Sequence, residues 1–281
     1  MPLQAEVERL KTFAFNMRRH ALDMALAAGG HASHFGAGMS IIEILAVLYG
    51  ETLKLDKYNP EWADRDRLIL SKGHGVIGYY AALVEYGYIS QDEMRNFEQQ
   101  GSFLMGHPIR TPEHGIEFTN GSLGMGLSLA IGTALAGKKK GQSYRTYVIL
   151  GDGEMDEGAV WEGIMAAPQF CLDNLCAVVD RNHMQLGGDT EQIIAHRDIR
   201  QKFSNFGWDA YEVDGHDIAQ LLDIFQNVGQ NRAPTAIIAN TVKGKGFSFA
   251  ENNNAWHHAV MTQRQYDDAL QELEESHHGN H

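Results

Sequence analysis

The sequence has few of the features that mark secreted, membrane or nucleic-acid-binding proteins. Its 281 residues include only two cysteines, too few for a disulfide framework. No apolar run approaches the length of a membrane span, and the first residues lack the apolar core of a signal peptide. The formal net charge of −13 disfavours nonspecific binding to nucleic acid or anionic membranes. We therefore expect a cytoplasmic protein with neither a nucleic-acid nor a membrane partner.

Short apolar runs that alternate with helical patterns predict the fold class. Strands are predicted at residues 67–70, 147–150, 175–179, 209–214 and 233–242, of which 147–150, 175–179 and 233–242 are expected to be buried. The helical patterns between them favour a doubly wound α/β fold, in which helices flank a mostly parallel sheet. Because the sequence shows no linker, internal repeat or second core, we expect a single domain over residues 1–270 and a disordered tail over residues 271–281.

The rest of the chain is organised around residues 147–188, where two predicted strands end in polar residues. Gly151-Asp152-Gly153 follows the first strand, and Asn182 follows the second. Because a helix joins these parallel strands, both ends lie at the same edge of the sheet, and Asp152 and Asn182 are expected side by side. Oxygen ligands of this kind suit Mg²⁺ or Ca²⁺. The glycines and the following helix N-terminus could also accept a diphosphate, although an ordinary strand-to-helix turn is the alternative.

These residues carry a family resemblance. GDGE at positions 151–154, followed by a strand that ends in Asn182, resembles the thiamine diphosphate motif. The stretches EGAVWEG and DNLCAVVDRNHMQLGG resemble the transketolase branch of that family. The resemblance extends over residues 7–262 and points to the N-terminal, diphosphate-binding subunit of a split transketolase. It implies thiamine diphosphate and Mg²⁺ as cofactors, with Ca²⁺ as a substitute for Mg²⁺.

The resemblance also assigns roles to residues near the sheet edge. It implies Asp152, Asn182 and the carbonyl group of Met184 as metal ligands. The predicted cofactor contacts are His74, Gly121, Leu123, Gly151, Asp152, Gly153, Glu154, Glu157, Asn182, Leu186, Lys243 and His257. Lys243 is included because the KGKG segment at 243–246 follows a predicted strand and could hold phosphate by charge and backbone amides. Glu157 and Glu162 match glutamates that lie at the dimer centre of the family, but by sequence pattern alone they are two solvated carboxylates on a helix.

Histidines in glycine-rich connections are the candidate catalytic residues. The pKa of histidine suits proton transfer near neutral pH. His74 follows the predicted strand 67–70 at an edge where open α/β sheets bind ligands, although an ordinary cap of the next helix is the alternative. The residues that the resemblance implies as catalytic are His34, His74, His107 and His257, with the first three contacting the donor and the last lying nearer the diphosphate.

Two of these assignments stay open on the sequence alone. His31 lies close to His34 and competes with it for the substrate-contacting position. His258 stands where the family usually has glycine, and it competes with His257 for the contact with the diphosphate.

The resemblance implies transfer of a two-carbon ketol unit from a ketose, or ketose phosphate, to an aldose acceptor, with chemistry that the cofactor supplies. Family members activate the cofactor with a glutamate of a second domain, and this chain ends before that domain. We therefore expect an enzyme that is active only with a separate C-terminal subunit, containing the pyrimidine-binding and C-terminal domains, in a heterotetramer. The alternatives are a deoxyxylulose-phosphate-synthase-like or other ketol-transferring subunit, and a noncatalytic cofactor-binding subunit. The sequence specifies neither the sugars nor whether they carry phosphate or sulfonate.

Overall fold

Five parallel strands form the sheet at the centre of the protein. The structure, a computed structural model, describes residues 4–278, with the side chains of residues 4–276. The strands are β1 (Arg67–Leu70), β2 (Thr146–Gly151), β3 (Leu175–Arg181), β4 (Met184–Gln185), β5 (Gly188–Asp189), β6 (Asp209–Asp214) and β7 (Thr235–Asn240). The large sheet has the order β1-β2-β3-β7-β6, and β4 and β5 form a separate antiparallel hairpin.

Helices cover both faces of the sheet. They are α1 (Gln4–Ala27), α2 (Phe35–Met39), α3 (Ile42–Val47), α4 (Val76–Tyr86), α5 (Gln91–Met94), α6 (Met125–Lys140), α7 (Gly158–Gln169), α8 (Thr190–Ile193), α9 (Ile199–Asn205), α10 (Ile218–Phe225) and α11 (Gln263–His278). Within residues 4–278, no helix is long and apolar enough to span a membrane.

Alternation along the strands explains the two layers of helices. Successive strand side chains point to opposite faces, so Tyr147 and Ile149 enter one core while Val148 and Leu150 enter the other. Helices α1, α3, α4, α10 and α11 contribute to the first core, and α6, α7 and α9 contribute to the second. Both faces of β1, β2, β3 and β7 are largely buried, which is why these strands read as mostly apolar runs, whereas the edge strand β6 is more polar and more exposed. The predicted doubly wound α/β fold is confirmed, with strands close to their predicted bounds.

The C-terminal segment differs from its prediction. The predicted disordered tail over residues 271–281 is wrong for residues 271–278, because α11 continues to His278. Ala269 and Leu273 of α11 are buried, and the Tyr266 hydroxyl donates to Asp23 of α1 at 2.7 Å. One narrow apolar stripe at helical spacing is enough to dock this otherwise polar helix. Residues 279–281 lie outside the described residues.

Candidate active site

Asp152 and Asn182 lie at the same edge of the sheet, where β2 and β3 end side by side. Gly151 pairs with Asp180 in the parallel ladder, and the Asp152 amide donates to the Asp180 carbonyl at 3.2 Å. Asp152 Oδ2 also accepts a hydrogen bond of 2.6 Å from the amide of His183, the residue after Asn182. The structure thus brings the two predicted metal ligands together, and both are buried.

A buried carboxylate that the sequence analysis missed orients this edge. Asp180 accepts hydrogen bonds from the Lys72 ammonium, the Ser40 hydroxyl at 2.7 Å, the Thr241 hydroxyl, and Asn182 Nδ2 at 2.9 Å. Because Nδ2 of Asn182 is held by Asp180, the oxygen of the same amide is turned away from it. The signal in the sequence was a charged residue at the end of an otherwise apolar strand, but its partners lie far along the chain.

The electrostatics of the edge fit a cation. Burial, followed by the negative charge of Asp180, raises the pKa of Asp152 to about 7. Burial also acts on Asp180, but Lys72 outweighs it and holds the pKa of Asp180 below its usual value. A divalent ion beside Asp152 would favour its ionised form. Among the described side chains of residues 4–276, no three His, Cys, Asp or Glu residues form a metal-binding group, so an ion here would depend on the amide oxygen of Asn182 and a backbone carbonyl as well.

The predicted backbone ligand lies in the β4–β5 hairpin, which closes over the turn after β2. The amide of Met184 donates to Asn182 Oδ1 at 3.0 Å, so the Met184 peptide lies directly beside Asn182. A Cβ on Gly153 would lie 2.8 Å from the Cβ of Gln185, so only glycine allows the hairpin to approach this closely. The hairpin therefore packs directly against the turn after β2.

Glu154 joins three segments around the site. One of its oxygens accepts from the Ser71 hydroxyl and from the Gly124 amide at 2.8 Å, and the other accepts from the Gly151 amide at 3.0 Å. This buried carboxylate thereby fixes the ends of β1 and β2 against the start of α6. Glu154 was predicted as a cofactor contact, but both of its oxygens accept hydrogen bonds from the protein. Its role in this structure is to hold the surrounding backbone in position.

Five imidazole rings converge next to this edge. The ring centroid of His34 lies 5.5 Å from that of His74, 5.7 Å from His107, 5.4 Å from His257 and 4.4 Å from His258. We call these five residues the imidazole cluster. The four histidines predicted as catalytic are therefore brought together, and a fifth joins them.

The position of His34 distinguishes it from its competitor. His31 lies exposed on a 3₁₀ turn, Gly29–His31, whereas His34 lies half-buried at the start of α2 with its ring at the centre of the imidazole cluster. The geometry therefore favours His34 as the substrate-contacting residue of the pair.

Burial and neighbouring cationic groups favour the neutral form of His34, His74, His107 and His257. Burial, and then the charges of His258 and His257, lower the pKa of His34 to about 3. Burial followed by Lys243 lowers the pKa of His257 to about 4. The pKa of His74 is lowered by burial and Lys72, and that of His107 by burial. Neutral rings have one donor and one acceptor nitrogen each, which is what recognition of hydroxyl groups requires.

Lys243 brings a buried cation to the same place. It lies three residues after β7, and its Nζ donates to His257 Nδ1 at 2.9 Å and to Asn254 Oδ1 at 3.4 Å. Because the ammonium group can only donate, Nδ1 of His257 is the acceptor and Nε2 carries the hydrogen. Burial, followed by the charge of Lys72, lowers the pKa of Lys243 to about 8. Both hydrogen-bond partners of Lys243 are neutral, so an anionic group such as a diphosphate fits the site.

A buried network holds the loop that carries Lys243. Glu43 Oε1 lies 2.6 Å from Arg18 Nη2, and Glu43 Oε2 lies 2.8 Å from His216 Nδ1. His216 Nε2 accepts a hydrogen bond from the Val242 amide at 2.8 Å. Since Nε2 accepts from a backbone amide, Nδ1 carries the hydrogen and donates to Glu43. Helices α1 and α3 and the turn after β6 therefore all fix the residue that precedes Lys243.

A cleft of about 800 Å³ opens beside the imidazole cluster. Its walls include His34, His107, His258, Glu98 and Gly121. A Cβ on Gly121 would lie 3.2 Å from the His107 ring, so the backbone approaches that ring closely, as the glycine-rich sequence predicts.

The remaining predicted residues lie farther out. Glu157 is exposed before α7, Glu162 is exposed on α7, and Leu186 is 73% exposed at the tip of the β4–β5 hairpin. Leu123 is half-buried just before α6. This chain does not by itself bring these four residues into the imidazole cluster.

Comparison with known proteins places this arrangement in a family. Residues 11–276 match the model of the family described as transketolase, thiamine diphosphate binding domain. The chain belongs to the transketolase family. The family description names thiamine diphosphate as the ligand of the domain. Family membership therefore confirms the cofactor that the GDGE motif implies.

The relatives of this transketolase-family chain include subunits of split enzymes. The chain is 37% identical over 272 residues to an apulose-4-phosphate transketolase subunit of Phocaeicola vulgatus, covering 96% of this chain and 95% of that protein. It is 40% identical over 242 residues to a 6-deoxy-6-sulfo-D-fructose transketolase subunit of Clostridium sp., covering 86% of this chain and 88% of that protein. Its resemblance to the N-terminal subunit of a split transketolase is therefore confirmed.

Single-chain transketolases are matched over part of their length. The chain is 38% identical over 277 residues to human transketolase, of which it covers 43%. The crystal structure of Campylobacter jejuni transketolase superposes with a TM-score of 0.86 at 28% identity, covering 98% of this chain and 43% of that one. The transketolase-family chain thus spans less than half of these enzymes.

Proposed function

We propose that this chain is the diphosphate-binding subunit of a split transketolase that moves a two-carbon ketol unit from a ketose donor to an aldose acceptor. The observation that carries the proposal is the imidazole cluster, in which His34, His107 and His258 line a cleft and His257 contacts a buried lysine, beside the paired ends of β2 and β3. Family membership supplies the reaction class, and these residues supply the means of handling a polyhydroxylated substrate.

The residues at the sheet edge are those that would hold the cofactor. Asp152, Asn182 and the Met184 carbonyl would bind Mg²⁺, with Ca²⁺ as a substitute, since these oxygen donors suit hard cations. Lys243 and His257 would contact the diphosphate, because they present a buried cation and an imidazole whose Nε2 carries a hydrogen. Thiamine diphosphate, when bound, supplies the carbanion chemistry that cleaves and forms the C–C bonds.

His34, His74 and His107 would handle the sugar. Burial lowers the pKa of each ring and so favours the neutral form, which can accept a hydrogen bond from one hydroxyl and donate to another oxygen. As the donor C–C bond breaks, one such ring can take the proton of the adjacent hydroxyl, and it can return that proton to the carbonyl oxygen of the acceptor.

A second chain would complete the site. The relatives named as transketolase subunits imply a partner, and human transketolase is more than twice the length of this chain. We infer that a C-terminal subunit supplies the pyrimidine-binding domain with its glutamate, and that the two chains assemble in the cytoplasm as a heterotetramer. Exposed residues outside the cleft, such as Leu186 and Glu157, are available for this contact.

The test compares this chain alone with the chain co-expressed with its partner. With thiamine diphosphate and Mg²⁺, aldehyde release from a ketose phosphate should require both subunits, since the activating glutamate is expected on the partner. The matched control carries His34→Ala and His107→Ala together. Full transfer activity from this chain alone would refute the split assignment, and undiminished transfer by the control would instead support a noncatalytic subunit.

The choice of donor separates the remaining alternative. A deoxyxylulose-phosphate-synthase-like enzyme would use pyruvate, a plain 2-oxo acid without hydroxyl groups. The hydroxyl-binding histidines favour ketose phosphates, so we expect turnover with D-fructose 6-phosphate and none with pyruvate.

A further inference from the structure

His258 occupies a place in the cleft that backbone pairing imposes. The Ser33 amide donates to the Ala259 carbonyl at 2.9 Å, and the Ala259 amide donates to the Ser33 carbonyl at 3.0 Å, which forms an isolated antiparallel bridge. The adjoining residues, His34 and His258, are therefore cross-strand neighbours. Their ring centroids lie 4.4 Å apart with an interplanar angle of 48°.

Consecutive histidines face two different parts of the site. His257 is tied to Lys243 through Nδ1, and its ring lies 5.6 Å from that of His74. His258 instead lines the cleft with His34 and His107. The two residues therefore do not compete for one position: His257 faces the lysine, and His258 faces the open cleft.

The ring of His258 has its hydrogen-bonding capacity free. Among the hydrogen bonds of the described residues 4–276, none involves a ring nitrogen of His34, His107 or His258, whereas His257 is bonded to Lys243. An imidazole offers a donor, an acceptor or two donors according to its protonation. Three such rings around one cleft provide several hydrogen-bonding positions for a ligand rich in hydroxyl groups.

We propose that His258 is a specificity-determining residue that contacts the hydroxyl chain of the ketose donor beyond the transferred two-carbon unit. The inference rests on the proposed function. The diphosphate would lie against Lys243 and His257. The ring of His34 neighbours that of His257, and the ring of His258 lies beside His34, where it lines the cleft. The part of the sugar that reaches His258 is therefore the part that leaves as the aldehyde.

The test uses two donors that deliver the same two-carbon unit to one aldose acceptor, which is present at the same saturating concentration in every assay. D-Fructose 6-phosphate has the hydroxyl chain, and 3-hydroxypyruvate lacks it and releases carbon dioxide. In the complex with the partner subunit, His258→Ala should lower kcat/KM for D-fructose 6-phosphate roughly two- to tenfold, mainly through KM, as loss of one neutral hydrogen bond predicts. With 3-hydroxypyruvate, the kcat/KM of His258→Ala should stay within about twofold of the wild-type value, because this donor has no hydroxyl chain for His258 to contact.

Two further variants distinguish contact from structural disturbance. His258→Asn should recover part of the loss, because an amide both donates and accepts. His31→Ala removes an exposed imidazole outside the cleft and should match wild type with both donors. The thermal midpoints of all variants should agree, since His258 and His31 are exposed and their truncation opens no cavity.

The outcomes separate this proposal from the function on which it rests. A wild-type complex that turns over neither donor refutes the proposed function. Turnover of 3-hydroxypyruvate alone, equal losses with both donors in His258→Ala, or unchanged kinetics with D-fructose 6-phosphate overturns the assignment of His258 while leaving ketol transfer in place.

Discussion

Replacing Asp180 by Asn should destabilise the protein far more than replacing both members of its ion pair. Asp180 and Lys72 are buried, with side chains 0% and 1% exposed. Asp180→Asn keeps the shape of the side chain but leaves the Lys72 ammonium without its anion. Lys72→Met likewise leaves the Asp180 carboxylate without its cation. The double replacement removes both charges from the interior.

The expected magnitude follows from the burial of the pair. Removing one partner of a buried ion pair costs about 3–5 kcal/mol, because an uncompensated charge remains in a poorly solvated place. For a chain of this size, about 1 kcal/mol lowers the thermal midpoint by roughly 2–4 °C, so each single variant should lose on the order of 10 °C. Removing both charges together costs much less, because no isolated charge remains.

The assay is a double-mutant cycle measured by chemical and thermal denaturation. We expect the loss in unfolding free energy of the double variant to be at least about 2 kcal/mol smaller than the sum of the single losses. Additive losses would show that Lys72 and Asp180 act independently, and the account of this edge would be wrong. The four hydrogen bonds of Asp180 also predict weaker cofactor binding in Asp180→Asn, because Asn182 loses its charged anchor.

Three further predictions concern the site and its supports. Asp152→Ala should weaken binding of thiamine diphosphate with Mg²⁺ at least about tenfold in calorimetry of the two-subunit complex, since an anionic ligand is lost; unchanged affinity would contradict the metal assignment. His34→Ala should lower ketol transfer on the order of 100-fold while His31→Ala leaves it near wild type, and the reverse ranking would exchange their roles. Burial acts to raise the pKa of Glu43, but Arg18 outweighs it and lowers that pKa to about 2. Because the pKa is depressed on folding, this stabilisation is present above about pH 4.5 and is lost as the pH falls towards 2. In pH-dependent denaturation, wild type should therefore lose on the order of 3 kcal/mol more than Glu43→Gln over that range, and parallel profiles would argue against the effect.

The parts of the site that the sequence predicts are those set by local chain geometry. Asp152 and Asn182 could be placed side by side because a strand, a helix and a second parallel strand put both strand ends at one edge. His74 and His107 stand beside glycine or proline in short connections, where a ring can be presented to a cleft. In each case the interpretation needed only neighbouring residues and a known connection rule.

The parts that could not be predicted depend on contacts between distant segments. Lys72 and Asp180 are 108 residues apart, and each alone reads as an ordinary polar residue at a strand end. Likewise, the sequence could not show that His257 and His258 face different parts of the site, because that depends on the bridge to Ser33 and on the position of Lys243. The sequence of α11 is mostly polar, and its narrow apolar stripe could be recognised only from the packing of α11 against α1.

The bridge between Ser33 and Ala259 also has a consequence for how the protein is made. Ala259 leaves the ribosome after the five strands of the large sheet, so the wall that holds His34 beside His258 can form only once all five strands have been synthesised. Closing such a long loop adds an entropic cost that short connections avoid. A chain released prematurely could form its sheet and still lack a finished sugar-binding wall. In pulse-labelled hydrogen exchange during refolding, the amides of Ser33 and Ala259 should accordingly become protected later than those of β2 and β3.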